Sequence, residues 1–280
     1  MIYARLHGRL GNQMFQYAAA RALAARLDVP FSIDTRRAEH KGEGVLTRVF
    51  DVDWSPPQHL PPAQHVRPLA YFAWRAFGQN PKIYREQGLG YNAAFETLAD
   101  NTYLHGYWQA EQYFAPIAND IRAAFVPRHA MSPQNADMAA RIASGPSVSL
   151  HVRRGDYLTV GAHGLCDQAY YEAALAKVAK GIDAPTVYVF SDDPDWAKDN
   201  LPLPFEKVVV DFNGPDTDYE DLRLMSLCQH NVLANSSFSW WGAWLNRNPD
   251  KRVAGPKDWF SDPKLNNPDI LPKGWLQIKA

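Results

Sequence analysis

Cysteine is almost absent: Cys166 and Cys228 are the only two in 280 residues. That excludes a disulfide framework and a structural zinc cluster, and it fits a reducing compartment. Net charge is nearly absent too, at −1, so no general basic surface invites nucleic acid. No run is long and apolar enough to cross a bilayer. The first residues, with Arg5, His7, Arg9, Asn12 and Gln13, lack the apolar core of a secretion signal. The expectation is a soluble cytoplasmic protein. The apolar fraction of 46% suffices for an ordinary core. Nine tryptophans are many, but most tryptophans are core rather than sugar platforms.

The chain reads as alternating strands and helices. Ile2 to Leu6 reads as a strand, Gly8 to Gln13 as a glycine-containing turn, and Met14 to Leu27 as an alanine-rich helix. Phe31 to Asp34 reads as a second strand. Residues 35–101 show little pattern and read as short helices and loops. Thr102 to Trp108 reads as a strand and Glu111 to Phe125 as a helix. Near Pro127–Pro133 the character changes. A boundary there divides the chain into domains 1–130 and 131–280. Beyond it, strands at 148–152, 186–191, 207–211, 231–234 and 252–254 alternate with helices, which implies a parallel, doubly wound α/β sheet.

Four stretches fall at predicted strand ends, where ligands bind in open α/β sheets. They are His151-Val152-Arg153-Arg154-Gly155-Asp156-Tyr157, Ser191-Asp192-Asp193, Asp211 with Asn213, and Asn235-Ser236-Ser237-Phe238-Ser239. Arg153 and Arg154 offer rigid donor forks with permanent charge. Ser236 and Ser237 open a helix, whose first N–H groups suit anions. This is the composition of a nucleotide diphosphate site. Asp192 or Asp193 could accept from guanine, or cap a helix. The strand–turn–helix at Gly8, Arg9, Gly11 and Asn12 lacks the residues of a Walker loop or a dinucleotide fingerprint. On its own it reads sooner as a tight turn between two packed elements than as an anion-facing turn. Asp51-Val52-Asp53 and Asp216-Thr217-Asp218 have a spacing that can hold a divalent ion, but neither follows a clear strand. Two arginines can neutralise a leaving diphosphate without a metal. For a general base the candidates are Asp156, His163 and Asp167, each of which could instead be a cap or a salt-bridge partner.

The His151–Tyr157 stretch resembles the His-x-Arg-Arg-x-Asp motif of the α-1,2-fucosyltransferases of glycosyltransferase family 11. Gly8 to Gln16, Phe190 to Trp196 and Asn235 to Trp244 resemble that family's other blocks, in the family's order. The resemblance implies a GT-B fold, two Rossmann-like doubly wound domains facing across a cleft. It implies GDP-β-L-fucose as donor, the 2-hydroxyl of a galactose-terminated glycan as acceptor, inversion, and neither metal nor cofactor. Carried over, Arg153 and Arg154 grip the diphosphate, with Asp156 beside them. His151, Ser191 and Asp192 lie near the guanine or ribose. Gly8, Arg9, Gly11 and Asn12 approach the donor from the N-terminal, acceptor-side domain. Asn235, Ser236, Ser237 and Phe238 close on phosphate and fucose. A lipid-linked acceptor would bring the protein to the inner face of a membrane. The competing readings are a transferase for another nucleotide sugar or acceptor, and a non-catalytic carbohydrate-binding protein.

Overall fold

A computed structural model describes residues 1–78, 80–155 and 166–279. The chain divides into two compact units, Met1–Arg128 and His129–Ala280. The first contains strands β1 (Ile2–Arg5), β2 (Phe31–Asp34), β3 (Lys82–Arg85) and β4 (Thr102–His105), and helices α1 (Leu10–Leu27), α2 (Arg36–Lys41), α3 (Pro68–Phe77) and α4 (Ala118–Ala124). Its described strands form one parallel sheet in the order β2-β1-β4-β3. Alanine dominates the buried side of α1. Small side chains let that helix sit close on the sheet at little entropic cost.

Three expectations fail in this unit. The strand β3 falls within the stretch read as helices and loops, because Lys82-Ile83-Tyr84-Arg85 is an edge strand with both ends exposed and carries no clean alternation. The helix expected over 111–125 is broken into short 3₁₀ turns at Glu111–Tyr113 and Ala115–Ile117 before α4 begins. Pro116 has no N–H to give, so a helix cannot run through it. The strand expected to reach Trp108 stops at His105. Gly106 follows, and a Cβ on it would lie 2.4 Å from the Glu86 side chain.

The second unit contains α5 (Pro133–Ala143), β5 (Ser147–Val152), α6 (Gln168–Val178), β6 (Thr186–Ser191), α7 (Pro194–Asn200), β7 (Lys207–Val210), α8 (Asp218–Leu227), β8 (His230–Val232), α9 (Ser237–Leu245), β9 (Val253–Pro256) and β10 (Leu276–Ile278). The described strands are all parallel, in the order β10-β9-β8-β5-β6-β7. Alternation along β6 explains the layers. Val187 and Val189 join a core with α6 and α7 residues such as Leu175 and Ala197. Tyr188 and Phe190 point the other way, into a core with Ile142 of α5 and Leu224 and Met225 of α8. Helices therefore cover both faces, and β5 is buried along its whole length, as central parallel strands are. The edge strand β10 has only three residues and was not expected from the sequence. Trp240, Trp241 and Trp244 are fully buried, packed on one another and on Trp275. They are core, not sugar platforms. Among the described residues, no helix is long and apolar enough to cross a membrane.

Candidate functional site

Because β8, β5, β6 and β7 are neighbours, the four stretches singled out above do leave adjacent strand ends. The β5–β6 register pairs Val152 with Ser191. One step further, Arg153 comes opposite Asp192 and Arg154 opposite Asp193. The ion pairs follow that register: Arg153 Nη1 lies 3.1 Å from Asp192 Oδ2, and Arg154 Nε lies 3.5 Å from Asp193 Oδ2. The arginine side chains are only 15% and 22% exposed, so neither dangles in solvent. The Arg154 guanidinium carbon lies over the Trp196 ring, 3.8 Å from its centroid. A cation over an aromatic face is attracted to it, which helps hold the guanidinium in place.

Asp192 holds the strand end together. Its Oδ1 accepts from the Arg154 N–H at 2.8 Å, and its Oδ2 accepts from the Gly155 N–H at 3.0 Å. A Cβ at position 155 would lie 2.9 Å from that same carboxylate oxygen, so glycine is what lets the loop fold onto Asp192. Both oxygens are thus engaged within the protein. This favours Asp192 as the residue that positions the arginine loop over a direct reader of guanine. Asp193 caps α7 by accepting from the Trp196 N–H at 3.2 Å, and Ser191 Oγ accepts from the Asp193 N–H at 3.0 Å.

The α9 N-terminus stands beside this loop. Ser236 caps it, its Oγ accepting from the Phe238 N–H at 3.3 Å. The Phe238 ring lies 5.9 Å from the His151 imidazole. Asn235 is buried and donates to the Trp259 carbonyl at 3.1 Å. Ser237 and Phe238 form the first turn of the helix. His151 is buried, and its Nδ1 has no hydrogen-bond partner among the described residues. Burial first, then the Arg153 charge, push its pKa down to about 3, with Asp192 opposing. It is therefore neutral near pH 7, with no capacity to serve as a base of ordinary strength. The unfolded state would take up a proton near pH 6.5 that the folded state refuses until about 3. His151 therefore contributes stability that is complete above pH 6.5 and is lost as pH falls toward 3, at about 1.4 kcal/mol per pH unit. Chemical denaturation of wild type and His151→Gln across pH 4–7 should show the difference between them changing with that slope. A pH-independent difference would contradict it.

Other expected residues lie elsewhere. Asp211 pairs with Lys198 at 2.6 Å. Asn213 is tied to Asn135 and Asp221, a structural network. Asp167 caps α6, accepting from the Tyr170 N–H at 2.8 Å, which removes it as a free base. Asp156, Tyr157 and His163 lie outside the described residues. Asp51 lies near Arg128, 3.4 Å away, and among the described residues no three His, Cys, Asp or Glu side chains cluster to hold a metal.

The N-terminal block lies in the first unit. Gly8 has φ +78, a left-handed conformation that favours glycine, and its N–H is held by Glu43 at 2.8 Å. Arg9 is exposed and precedes α1 without capping it. Gly11 is buried in the first helical turn. Asn12 Oδ1 accepts from Gln109 at 2.8 Å. The turn is pinned by buried glutamines: Gln13 donates to the Gly8 and Gly44 carbonyls, and Gln16 bonds both backbone and ring of His7. Those glutamines were not singled out in the sequence. Polar residues buried on the apolar side of a helix were the available signal.

The profile of glycosyl transferase family 11 matches residues 88–279. An alpha-1,2-colitosyltransferase of Escherichia coli is 30% identical, over 100% of this chain and 99% of its own length. A galactoside alpha-(1,2)-fucosyltransferase 1 of Pan troglodytes is 27% identical, over 85% of this chain and 63% of its own. Among solved structures, a mutant of Arabidopsis thaliana FUT1 in complex with GDP shares the fold. It has a TM-score of 0.51 and 12% identity, covering 90% of this chain and 69% of that one.

Proposed function

Since the chain belongs to glycosyltransferase family 11, with paired α/β units on the GT-B plan, we propose that it moves L-fucose from GDP-β-L-fucose to the 2-hydroxyl of a galactose, with inversion. The carrying observation is the Arg153–Arg154 pair, held by Asp192 and Asp193 at the end of β5 beside the α9 N-terminus. The names of two relatives, both alpha-1,2-transferases of 6-deoxy sugars, support the linkage. The GDP complex of a protein with this fold supports the nucleotide.

As the bond from the anomeric carbon to the diphosphate oxygen breaks, negative charge grows on the β-phosphate. The fixed guanidiniums stabilise that charge more in the transition state than in the ground state, which is what accelerates a reaction. The first-turn N–H groups of α9 add donors with a favourable dipole. The acceptor hydroxyl attacks from the opposite face, forming the new carbon–oxygen bond as the bond to the diphosphate breaks, and its proton passes to solvent as GDP departs. Asp192 and Asp193 balance the arginine charge when the site is empty and set the direction of each fork. His151 offers a buried, neutral nitrogen at the strand end to a donor group of the nucleotide.

A second donor has its own support. The 30% identical relative is a colitosyltransferase, and colitose differs from fucose by lacking one ring hydroxyl. Incubating the protein with GDP-fucose or GDP-colitose and lactose, in EDTA, and reading the product by NMR tests the proposal. The expected product is an α-1,2-fucoside formed without divalent metal. Transfer only from GDP-colitose would move the donor assignment. Tighter binding of UDP than of GDP, or loss of turnover in EDTA, would contradict the reading.

A further inference from the structure

The first unit carries a row of charge that the donor site does not use. The register of its sheet places Asp34, Arg5, His105 and Arg85 side by side, at the carboxyl ends of β2, β1, β4 and β3. Arg5 Nη1 lies 2.7 Å from His105 Nε2, and Arg85 Nη1 lies 2.7 Å from His105 Nδ1. A neutral imidazole has one acceptor nitrogen, the other carrying its proton. The ring is neutral, since burial and then the Arg5 and Arg85 charges push its pKa down to about 3. Only one arginine can therefore bond it well, and the other faces an N–H. The row is short of an acceptor.

Among the described residues no carboxylate pairs with Arg5, Arg37 or Arg85. Asp34 is held by Arg36 through two contacts of 2.8 Å and takes a third bond from the Tyr103 hydroxyl. Arg85 has the Tyr71 hydroxyl as its other partner, which is neutral. Arg37 joins the row at a cavity of about 30 Å³, whose walls include Arg5, Asp34, Tyr71 and His105. Arg5, Arg36 and Arg37 thus share one carboxylate around a hollow at the carboxyl edge of a parallel sheet, where such sheets bind ligands. Half-buried cations without counter-charge are costly, and oxygens of an anion would relieve that cost.

We propose that this hollow, lined by Arg5 and Arg37 beside His105, binds the phosphate or carboxylate group of an anionic acceptor glycan. The assignment rests on the transferase reading for the word acceptor, but not for the anion site itself. Pyrophosphate is titrated calorimetrically into protein saturated with GDP, so that the strand-end site of the second unit is filled. Saturable binding is expected, weakened on the order of tenfold or more in both Arg5→Ala and Arg37→Ala, with GDP affinity as in wild type. Equal pyrophosphate affinity in wild type and both variants overturns the proposal. If wild type fails to bind GDP, the donor reading falls, and the pyrophosphate comparison still decides this site.

Acceptors then separate the sources. A galactosyl diphosphate, a uronate-containing galactoside and a neutral galactoside are compared by KM in wild type and Arg37→Ala. A rise for the diphosphate relative to the neutral acceptor assigns phosphate, and the same for the uronate assigns carboxylate. An equal change for all three overturns the anionic-acceptor assignment.

Discussion

Replacing Arg153 with alanine is expected to lower kcat for sugar transfer on the order of 10²–10³, the usual effect of removing one donor aimed at developing charge. Arg153 lies at the end of a strand buried throughout its length, and its guanidinium is held by Asp192 at 3.1 Å. Its direction is fixed before substrate arrives, so little reorganisation is needed in the transition state. Lysine at this position keeps the charge but loses the fork, so Arg153→Lys should recover only part of the rate. Steady-state kinetics on protein shown by circular dichroism to be folded checks this. A folded Arg153→Ala enzyme with wild-type kcat would contradict it.

The second large effect belongs to Asp192→Ala. This carboxylate ties down the Arg154 and Gly155 N–H groups and orients Arg153. Without it the loop loses its shape, and the site gains net positive charge. These changes oppose one another in ground-state binding, because looser geometry weakens GDP while added charge attracts it. They do not oppose one another in the transition state, which depends on placement. The expectation is a kcat lower by about 10², with GDP affinity changed less than about tenfold and stability reduced by roughly 1–3 kcal/mol. Because Asp192 acts through Arg153, the double variant should lose much less than the sum of the two single losses. A fully additive double mutant would show that Asp192 has a role of its own.

Much of the second unit was legible, and the reasons are physical. Its strands are short apolar runs bounded by caps that work locally: Ser132, Asp167, Asp193 and Ser236 each accept from the first turn of the helix they open. The arginine loop was legible because two adjacent cations and a glycine are poor material for continuing a buried strand. Its partners were less so. Asp192 looks as suited to guanine as to a backbone loop until the β5–β6 register is known. The charged row of the first unit was not legible at all. Arg5, Asp34, Arg85 and His105 are far apart in the chain, and they meet only through the order β2-β1-β4-β3, one strand of which has no apolar alternation to announce it. Pairing order is a long-range property, and local pattern does not contain it.

The central claim is that Arg153 and Arg154 recognise the diphosphate of the donor. Isothermal titration with GDP and with GMP, on wild type and on Arg153→Ala, tests it most directly, because the two nucleotides differ only in the β-phosphate. Wild type should bind GDP more tightly than GMP by on the order of tenfold or more, and Arg153→Ala should bring the two affinities close together. Equal preference for GDP in both proteins would contradict the claim.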